Sequence, residues 1–305
     1  MTMGLPGSEV ACPLCEAAST EIYLDGDEEV LEPSAIGSSR RHIFPGKILR
    51  CRVCRFAFRQ ARSSPEDLRN LYRQMDAKVY ESELRGRDRT AQKHFTIVNR
   101  YSRPGRILDV GCASGLFLKH ALEAGWEVTG LEPSEVLCGV ARKNLGGKGQ
   151  IMCTTLEDSG LEQSFDAITL WDVLEHVSDP LGFLRFCRGL LKPDGLLFLN
   201  VPDLDSKEAR LLGPRWPLFL PEHLNYFNRN SLRLCATRAA LKPVRFGQRH
   251  AWFSLKYVAY RLAQHSIPGS FLLKKTGDSF LGGILIPVSL GETLAVLRAA
   301  GTTRD

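Results

Sequence analysis

Three groups of residues in this 305-residue chain could do chemistry. The first lies in "ILDVGCASGLFLKHAL", which starts at Ile107. A short apolar run carrying one acid, Asp109, leads into Gly111, Cys112, Ala113 and Gly115. A buried carboxylate is costly without a partner, so Asp109 asks for a cation. Glu132 ends the next apolar stretch, 21 residues after Gly111, where its carboxylate would hold two ribose hydroxyls. The spacing is D-x-G-x-A-x-G, with Leu116 where a diphosphate-binding G-x-G-x-x-G turn needs its third glycine. An acid, a small-residue turn and a second acid describe a ligand with a positive group and a ribose but no required phosphate. S-adenosylmethionine (SAM) meets that description. Ala113 is expected to keep a negative φ, where alanine costs little.

The second group is two C-x-x-C pairs, Cys12/Cys15 in "CPLC" and Cys51/Cys54 in "CRVC", 35 residues apart. Four thiolates suit a tetrahedral, closed and therefore structural zinc. Arg50, Arg52 and Arg55 stand where they could offset its negative charge. Seven acidic residues and no basic one lie between Glu16 and Glu32, and eight Lys/Arg and no acid between Arg40 and Arg62. The basic run suits nucleic acid or a nucleotide-sugar diphosphate, but pairing with the acidic run inside one small domain is the preferred reading. Cys112, Cys138, Cys153, Cys187 and Cys235 are expected in the core.

The third group is histidines, since a hydroxyl nucleophile needs a base of near-neutral pKa or a metal. In "WDVLEHV", Asp172, Glu175 and His176 share one face if a helix has begun, and such a face could bind a divalent ion, Mg²⁺ by the family resemblance described below, or simply brace the helix start. In "WPLFLPEHLNYFNRNSL", Trp216, Phe219, Tyr226 and Phe227 surround Glu222, His223 and Asn225. There His223 is the candidate base, with Glu222 or Asn225 fixing its tautomer and the aromatic residues stacking on an acceptor ring. A cap on the following helix is the alternative. His42, His94, His120, His250 and His265 have no suggestive context.

The elements that must position these groups alternate from Arg106 onward. "RILDV", "EVTGLE", "QIMCTTL", "FDAITLWDV" and "GLLFLNV" read as strands, with helices between them in "GLFLKHALEAG", "EVLCGVARKNL" and "DPLGFLRFCRGLL". That alternation predicts an α/β fold with a parallel sheet covered on both faces. "NSLRLCATRAAL" reads as a helix, "PVRFGQ" as a strand and "GETLAVLRAA" as a last strand. Before the sheet, "SSPEDLRNLYRQM" and "RTAQKHFTIVNRYS" read as helices. The expected domains are 1–60 for the four cysteines, 61–104 as a helical linker or cap, and 105–305 for the sheet, with 250–288 an insertion or lid.

A formal charge of +6 permits a phosphate-bearing partner without demanding one. Nine cysteines, odd in number and not framework-spaced, fit a reducing compartment, so a cytoplasmic location is expected. "MTMGLPGSEV" lacks the character of a signal peptide, and "LGGILIPVSL" is too short to span a bilayer. Oligomeric state is not legible.

"ILDVGCASG", "LEPS", "SFDAITLWDVLEHVSDP" and "LLKPDGLLFLNVPD", in this order, resemble the class I SAM-dependent methyltransferases, nearest the small-molecule branch with the ubiquinone O-methyltransferases. The resemblance covers roughly residues 100–250 and implies a Rossmann-like sheet. It assigns Asp109 and the Gly111–Gly115 turn, with Cys112 and Ala113, to the methionine end of SAM. Glu132, followed by Pro133, goes to the ribose, and Thr154–Asp158, with Leu156 and Glu157, borders the adenine. Trp171 and Asp172 lie beside the methyl donor. Ala113 departs from the family's usual glycine. "CPLC…CRVCRFAF" resembles the zinc-binding segment on bacterial sugar and secondary-metabolite methyltransferases, and E-H-x-x-Y-F resembles a string in sugar C- and O-methyltransferases. The expected activity is methylation of a small molecule, at a hydroxyl of a sugar, nucleotide sugar, glycan or natural-product intermediate. C-methylation of a sugar, methylation of an RNA base and a non-catalytic SAM-binding scaffold are the alternatives; "LWDVLEHV" stands where an exocyclic-amine enzyme needs [D/N/S]-P-P-[Y/F].

Overall fold

A computed structural model describes residues 10–26, 46–60, 83–162, 165–264 and 280–300. The helix expected in "SSPEDLRNLYRQM" lies outside them. Strands β1 (Thr20–Leu24), β2 (Ile48–Cys51) and β3 (Ala57–Arg59) come first, then helix α1 (Leu84–Tyr101). The alternating region follows as β4 (Arg106–Val110), α2 (Leu116–Glu123), β5 (Glu127–Leu131), α3 (Glu135–Asn144), β6 (Gln150–Met152) and β7 (Phe165–Leu170). Then come α4 (Pro180–Leu190), β8 (Leu191–Pro202), α5 (Lys207–Leu212), β9 (Asn225–Tyr226), α6 (Arg229–Arg238) and β10 (Leu241–Gln248). The last elements are β11 (Ala251–Ser254), α7 (Leu255–Gln264), β12 (Leu285–Val288) and β13 (Glu292–Ala299).

The main sheet has the order β10-β13-β8-β7-β4-β5-β6. The run β6, β5, β4, β7, β8 is parallel, and β13 runs antiparallel to both β8 and β10. The chain enters at β4, builds outward through β5 and β6, then returns to β7 on the other side of β4. That reversal opens a crevice at the carboxyl ends, where open α/β sheets bind ligands. Alternation along each strand divides the core. Leu108 and Val110 of β4 and Leu197 and Leu199 of β8 face the layer containing α4 and α6. Ile107, Leu196 and Phe198 face the layer containing α1, α2 and α3.

Helix starts are set by local chemistry. Pro180 opens α4 behind Asp179, whose carboxylate accepts from the Gly182 N–H at 2.9 Å. Asn228 and Ser231 form a reciprocal capping box on α6. By contrast, "WDVLEHV" forms no helix: residues 171–176 are turns, and Asp172 sits at φ +57°. Asp172, Glu175 and His176 therefore do not share a helical face.

Residues 10–26 and 46–60 are joined to the main-sheet region in three ways. The small sheet β1-β2-β3 takes its fourth strand, β9, from beyond residue 220. Cys12, Leu14, Cys51, Phe56 and Phe58 also belong to the same buried cluster as α4 and α6, with Phe56 and Phe227 ring centroids 4.9 Å apart. Arg238 of α6 donates to the Leu14 carbonyl and reaches Glu16 at 3.1 Å. Within 250–288, β11 and β12 pair antiparallel in a two-stranded sheet that the alternation did not reveal, and the main-chain Trp252 N–H of β11 donates to Thr90 Oγ1 of α1 at 2.8 Å.

Because Phe56 is fully buried in this shared core, Phe56→Ala should cost about 3–5 kcal/mol. Urea unfolding followed by tryptophan fluorescence should shift as one transition. An unchanged midpoint would show that the cysteine segment packs independently.

Candidate active site

At the reversal, Asp109 of β4 and Thr169 of β7 stand directly across from one another in the parallel pair. Thr169 Oγ1 donates to Asp109 Oδ1 at 2.6 Å. Asp109 is 2% exposed, and burial pushes its carboxyl up to about 7 against the opposing effect of that hydrogen bond. The following turn is tied to β5: the Gly111 and Cys112 N–H groups both donate to the Leu131 carbonyl, at 2.8 and 2.9 Å. Gly111 and Gly115 have φ of +72° and +75°, which glycine adopts at little cost. Ala113 also has positive φ, +47°, contrary to the expectation that it keeps a negative one. The Glu132 carboxylate explains how alanine is held there: its Oε2 accepts from the Ala113 N–H at 3.0 Å, and its Oε1 from the Ser134 N–H at 2.9 Å.

Each Glu132 oxygen thus spends one lone pair on the backbone and retains another, which fits the two hydroxyls of a ribose. Burial raises the Glu132 carboxyl despite these two donors. Of the residues expected to border the adenine, which follow β6, Leu156 is buried and Glu157 exposed. Cys153, expected in the core, is exposed and bonded to the buried Cys138 of α3. Cys112, Cys187 and Cys235 are buried, as read from the sequence.

On the other side of the crevice, Trp171 stacks on His94 of α1 with ring centroids 4.0 Å apart and meets Phe117 edge-on. Asp172 accepts from Asn200 Nδ2 at 2.6 Å and Arg249 at 2.9 Å. Arg249 also donates to Glu292 at 2.6 Å, and Asn200 donates to Glu292 at 2.7 Å. Burial, aided by the adjacent guanidinium, holds His94 down to about 3. Burial likewise raises Glu292 to about 7, while at Asp172 desolvation is the largest single effect but the Arg249 guanidinium, the Asn200 amide and the neighbouring groups together outweigh it and hold that carboxyl below its ordinary value. His94, Asn200, Arg249 and Glu292 escaped the sequence reading, which saw only Asp172. They lie on α1, β8, after β10 and on β13, and no local spacing connects them.

The turn after β7 meets the segment before β9. Asn225 Nδ2 donates to the Leu174 and Val177 carbonyls at 3.1 and 2.6 Å. His176 and His223 lie edge-to-face with centroids 4.7 Å apart. The His223 tautomer is set by the Leu218 carbonyl, 2.9 Å from Nδ1, rather than by the side chain of Glu222 or Asn225. The Glu222 carbonyl does the same for His176 at 3.0 Å. Trp216, Tyr226 and Phe227 are fully buried core, not an open stacking wall. Asp172, turned toward Arg249, is not part of the cluster that Glu175, His176 and His223 form.

The four cysteines converge, with sulfurs within 4.8 Å of one another. Cys12–Cys54 and Cys15–Cys51 separations are 3.6 and 3.5 Å. Zinc–sulfur bonds of about 2.3 Å imply tetrahedral edges of about 3.8 Å, so the set fits zinc. The two knuckles are built alike: Glu16 and Arg55 each follow a pair at φ +65° and +63°, and each N–H returns to the first cysteine's carbonyl. Arg50, Arg52 and Arg55 converge on Glu21 at 2.6, 3.6 and 3.5 Å, so acidic and basic stretches pair within this small sheet.

Among solved structures, the Burkholderia thailandensis 1,6-didemethyltoxoflavin-N1-methyltransferase, with bound 1,6-didemethyltoxoflavin and S-adenosylhomocysteine, is similar over 80% of this chain and 96% of its own. The TM-score is 0.50 at 17% identity, a likeness of fold alone. Ubiquinone biosynthesis O-methyltransferase of Actinobacillus pleuropneumoniae serotype 7 is 39% identical over 116 residues, 35% of this chain and 50% of that protein. The protein of the same name from Xanthomonas campestris pv. campestris is 42% identical over 110 residues, 34% of this chain and 46% of its own. The chain spans about half the length of the curated relatives it matches. No helix among the described residues is long and apolar enough to cross a membrane. The methyltransferase-domain family model matches residues 84–245, more than half of the chain, and the chain belongs to that family.

Proposed function

We propose that this chain transfers a methyl group from SAM to a hydroxyl of a small molecule. The observation that carries this reading is the Glu132 carboxylate, buried at the crevice with one lone pair per oxygen spent on the backbone and one retained. Asp109 faces the methionine end, where a cation offsets the cost of its buried charge. SAM, when bound, supplies an electrophilic methyl. The protein's part is to align the acceptor, exclude water and receive the proton that leaves the hydroxyl for each methyl moved. The deprotonating group in this reading is His223, in the segment before β9, or His176, in the turn that carries Trp171 and Asp172. The O-methyltransferase relatives support a hydroxyl acceptor. A sugar ring loses its particular motivation, because three of the four aromatic residues expected to stack on it, Trp216, Tyr226 and Phe227, are core. The antiparallel pair β11 and β12, docked on α1 through β11, and the α7 that follows β11 are proposed as one wall of the acceptor side.

The cysteine site is proposed to hold a structural zinc. Its sheet ends on β9, two residues after His223, so loosening it should reach the acceptor side before the SAM side. Replacing the half-buried Cys15 and Cys54 together by serine should remove one equivalent of zinc by elemental analysis and lower turnover more than SAM affinity. An unchanged zinc content would refute the assignment.

Glu132→Gln should weaken SAM by roughly 5- to 150-fold in calorimetry, because charge-assisted acceptance from two hydroxyls is worth about 1–3 kcal/mol. Unchanged affinity would remove the ribose assignment. Asp109 gives a pH signature. Its carboxyl is raised above the ordinary value in the ligand-free protein, so its contribution to stability is full at low pH and is lost as pH rises through about 7. The melting temperature of ligand-free protein, relative to Asp109→Asn, should therefore fall between about pH 4 and pH 7.5. The stabilisation by SAM should grow over the same interval. A pH-independent difference between the two proteins would contradict a buried, cation-seeking Asp109.

A further inference from the structure

We propose that Cys138 and Cys153 form a reversible redox modification site, a thiol pair whose oxidation to a disulfide strengthens SAM binding. The coupling rests on the reading of Glu132 as the ribose acid; the bond itself rests on geometry. Cys138 lies in the first turn of α3 and is fully buried, whereas Cys153 directly follows β6 and is exposed. Their Cα atoms are 6.0 Å apart and their sulfurs are joined. Two cysteines bridge without backbone movement when their Cα atoms are about 4.4–6.8 Å apart, so the backbone accommodates the bond. The other seven cysteines are unbonded: four gather in the two knuckles, and Cys112, Cys187 and Cys235 are buried. Outside the knuckles, Cys153 is therefore the sulfur that a reagent in solution reaches.

The surroundings suit both oxidation states. Arg142, one turn further along α3, directs Nη2 to the Ile151 carbonyl at 2.9 Å and to Cys153 Sγ at 3.3 Å. When the bond is open, a guanidinium there favours the thiolate, the species that attacks. The reduced Cys138 also has an acceptor for its hydrogen, because the Glu132 carbonyl lies 3.2 Å from its Sγ. A low-molecular-weight disulfide of the glutathione type is the oxidant. The Cys153 thiolate attacks one of its sulfurs, the reagent's S–S bond breaks, and one thiol leaves. Cys138 then attacks Cys153 Sγ and releases the second thiol. The two cysteine hydrogens end on the two released thiols, so the pair is oxidised by two electrons and the reagent reduced by two.

The bond closes around the ribose acid. The Glu132 N–H donates to the carbonyl of Met152, the residue before Cys153, at 3.1 Å. On the other flank, Ser134 caps α3 and its N–H donates to Glu132 Oε1 at 2.9 Å. Met152 ends β6, a three-residue strand at the edge of the main sheet, and residues 154–158, expected at the adenine, follow Cys153. With the pair open, the start of that segment is held by a short edge strand. With the pair closed, it is tied covalently to the first turn of α3. Part of the ordering that a bound nucleoside requires is then already in place, so less affinity is lost on binding. Linkage makes the effect mutual: bound nucleoside favours the disulfide by the same factor by which the disulfide favours the nucleoside.

The test equilibrates the full chain in glutathione buffers from fully reduced to fully oxidised. The linked fraction is read by mass spectrometry, since Arg142 and Lys148 place Cys138 and Cys153 on different tryptic peptides. S-adenosylhomocysteine affinity is read by calorimetry on the same samples. Oxidised wild type should carry the 138–153 link and bind at least about fivefold more tightly than reduced wild type. Saturating S-adenosylhomocysteine should shift the glutathione ratio at half-oxidation by the same factor, toward the reducing side. Cys153→Ser retains the knuckle thiols and should bind with one affinity in every buffer, that of the reduced wild type. Absence of the linked peptide in oxidised wild type overturns the proposal. So does an affinity that is equal or weaker after oxidation, or one that responds to glutathione as strongly in Cys153→Ser. A linked protein that binds no S-adenosylhomocysteine in either state would instead remove the ribose reading of Glu132 and, with it, the coupling, while the bond itself stands.

Discussion

The carbonyl oxygen of Glu175 accepts two main-chain hydrogen bonds, from Leu224 and Asn225. The acceptor side of the crevice depends on that atom. It fixes the turn after β7, which carries Trp171 and Asp172, to the segment that carries His223. Asn225 continues directly into β9, which pairs with β3 of the cysteine sheet. One carbonyl therefore links the edge of the main sheet, the paired histidines and the four-cysteine segment. The Asn225 amide on the Leu174 and Val177 carbonyls and His176 at the Glu222 carbonyl reinforce the same junction, whereas the Asp109–Glu132 side is built separately from β4, β5 and the glycine turn.

Buried charge is the second constraint. Asp109 and Glu132 sit on one side of the crevice with hydrogen-bond donors but, among the described residues, no ion pair, and both carboxyls are raised. Asp172 and Glu292 sit on the other side and share Arg249 and Asn200. The first pair is left seeking a cation and hydroxyls, which fits a ligand site. The second pair is largely satisfied within the protein, and removing Arg249 would strand the buried Glu292 carboxylate, a change that typically destabilises strongly, whereas the exposed Asp172 would keep its water. Its place is structural: it ties β13 and the end of β10 to the edge where Trp171 emerges.

Much of this was legible in the sequence because it is local. Strand–helix alternation revealed β4 through β8, and D-x-G-x-A-x-G with Glu132 marked the crevice. The C-x-x-C pairs announced their own convergence. What the sequence hid is nonlocal or conformational. The φ of Ala113 depends on Glu132, nineteen residues away, accepting its N–H. The Arg249 network draws on four separate elements. "WDVLEHV" has helical spacing, yet Asp172 at φ +57° turns the chain, so Glu175 and His176 meet His223 instead. The aromatic residues around His223 suggested an acceptor wall, but period and composition do not distinguish a wall from the core that Trp216, Tyr226 and Phe227 form.

The account turns on where the nucleoside sits. The most direct measurement is a crystal structure of the chain with S-adenosylhomocysteine. It should place both ribose hydroxyls within hydrogen-bond reach of the Glu132 carboxylate, the amino-acid end over the Gly111–Gly115 turn near Asp109, and the sulfur facing Trp171 and the His176–His223 turn. A nucleoside bound elsewhere, or in the crevice with its ribose turned away from Glu132, would contradict it.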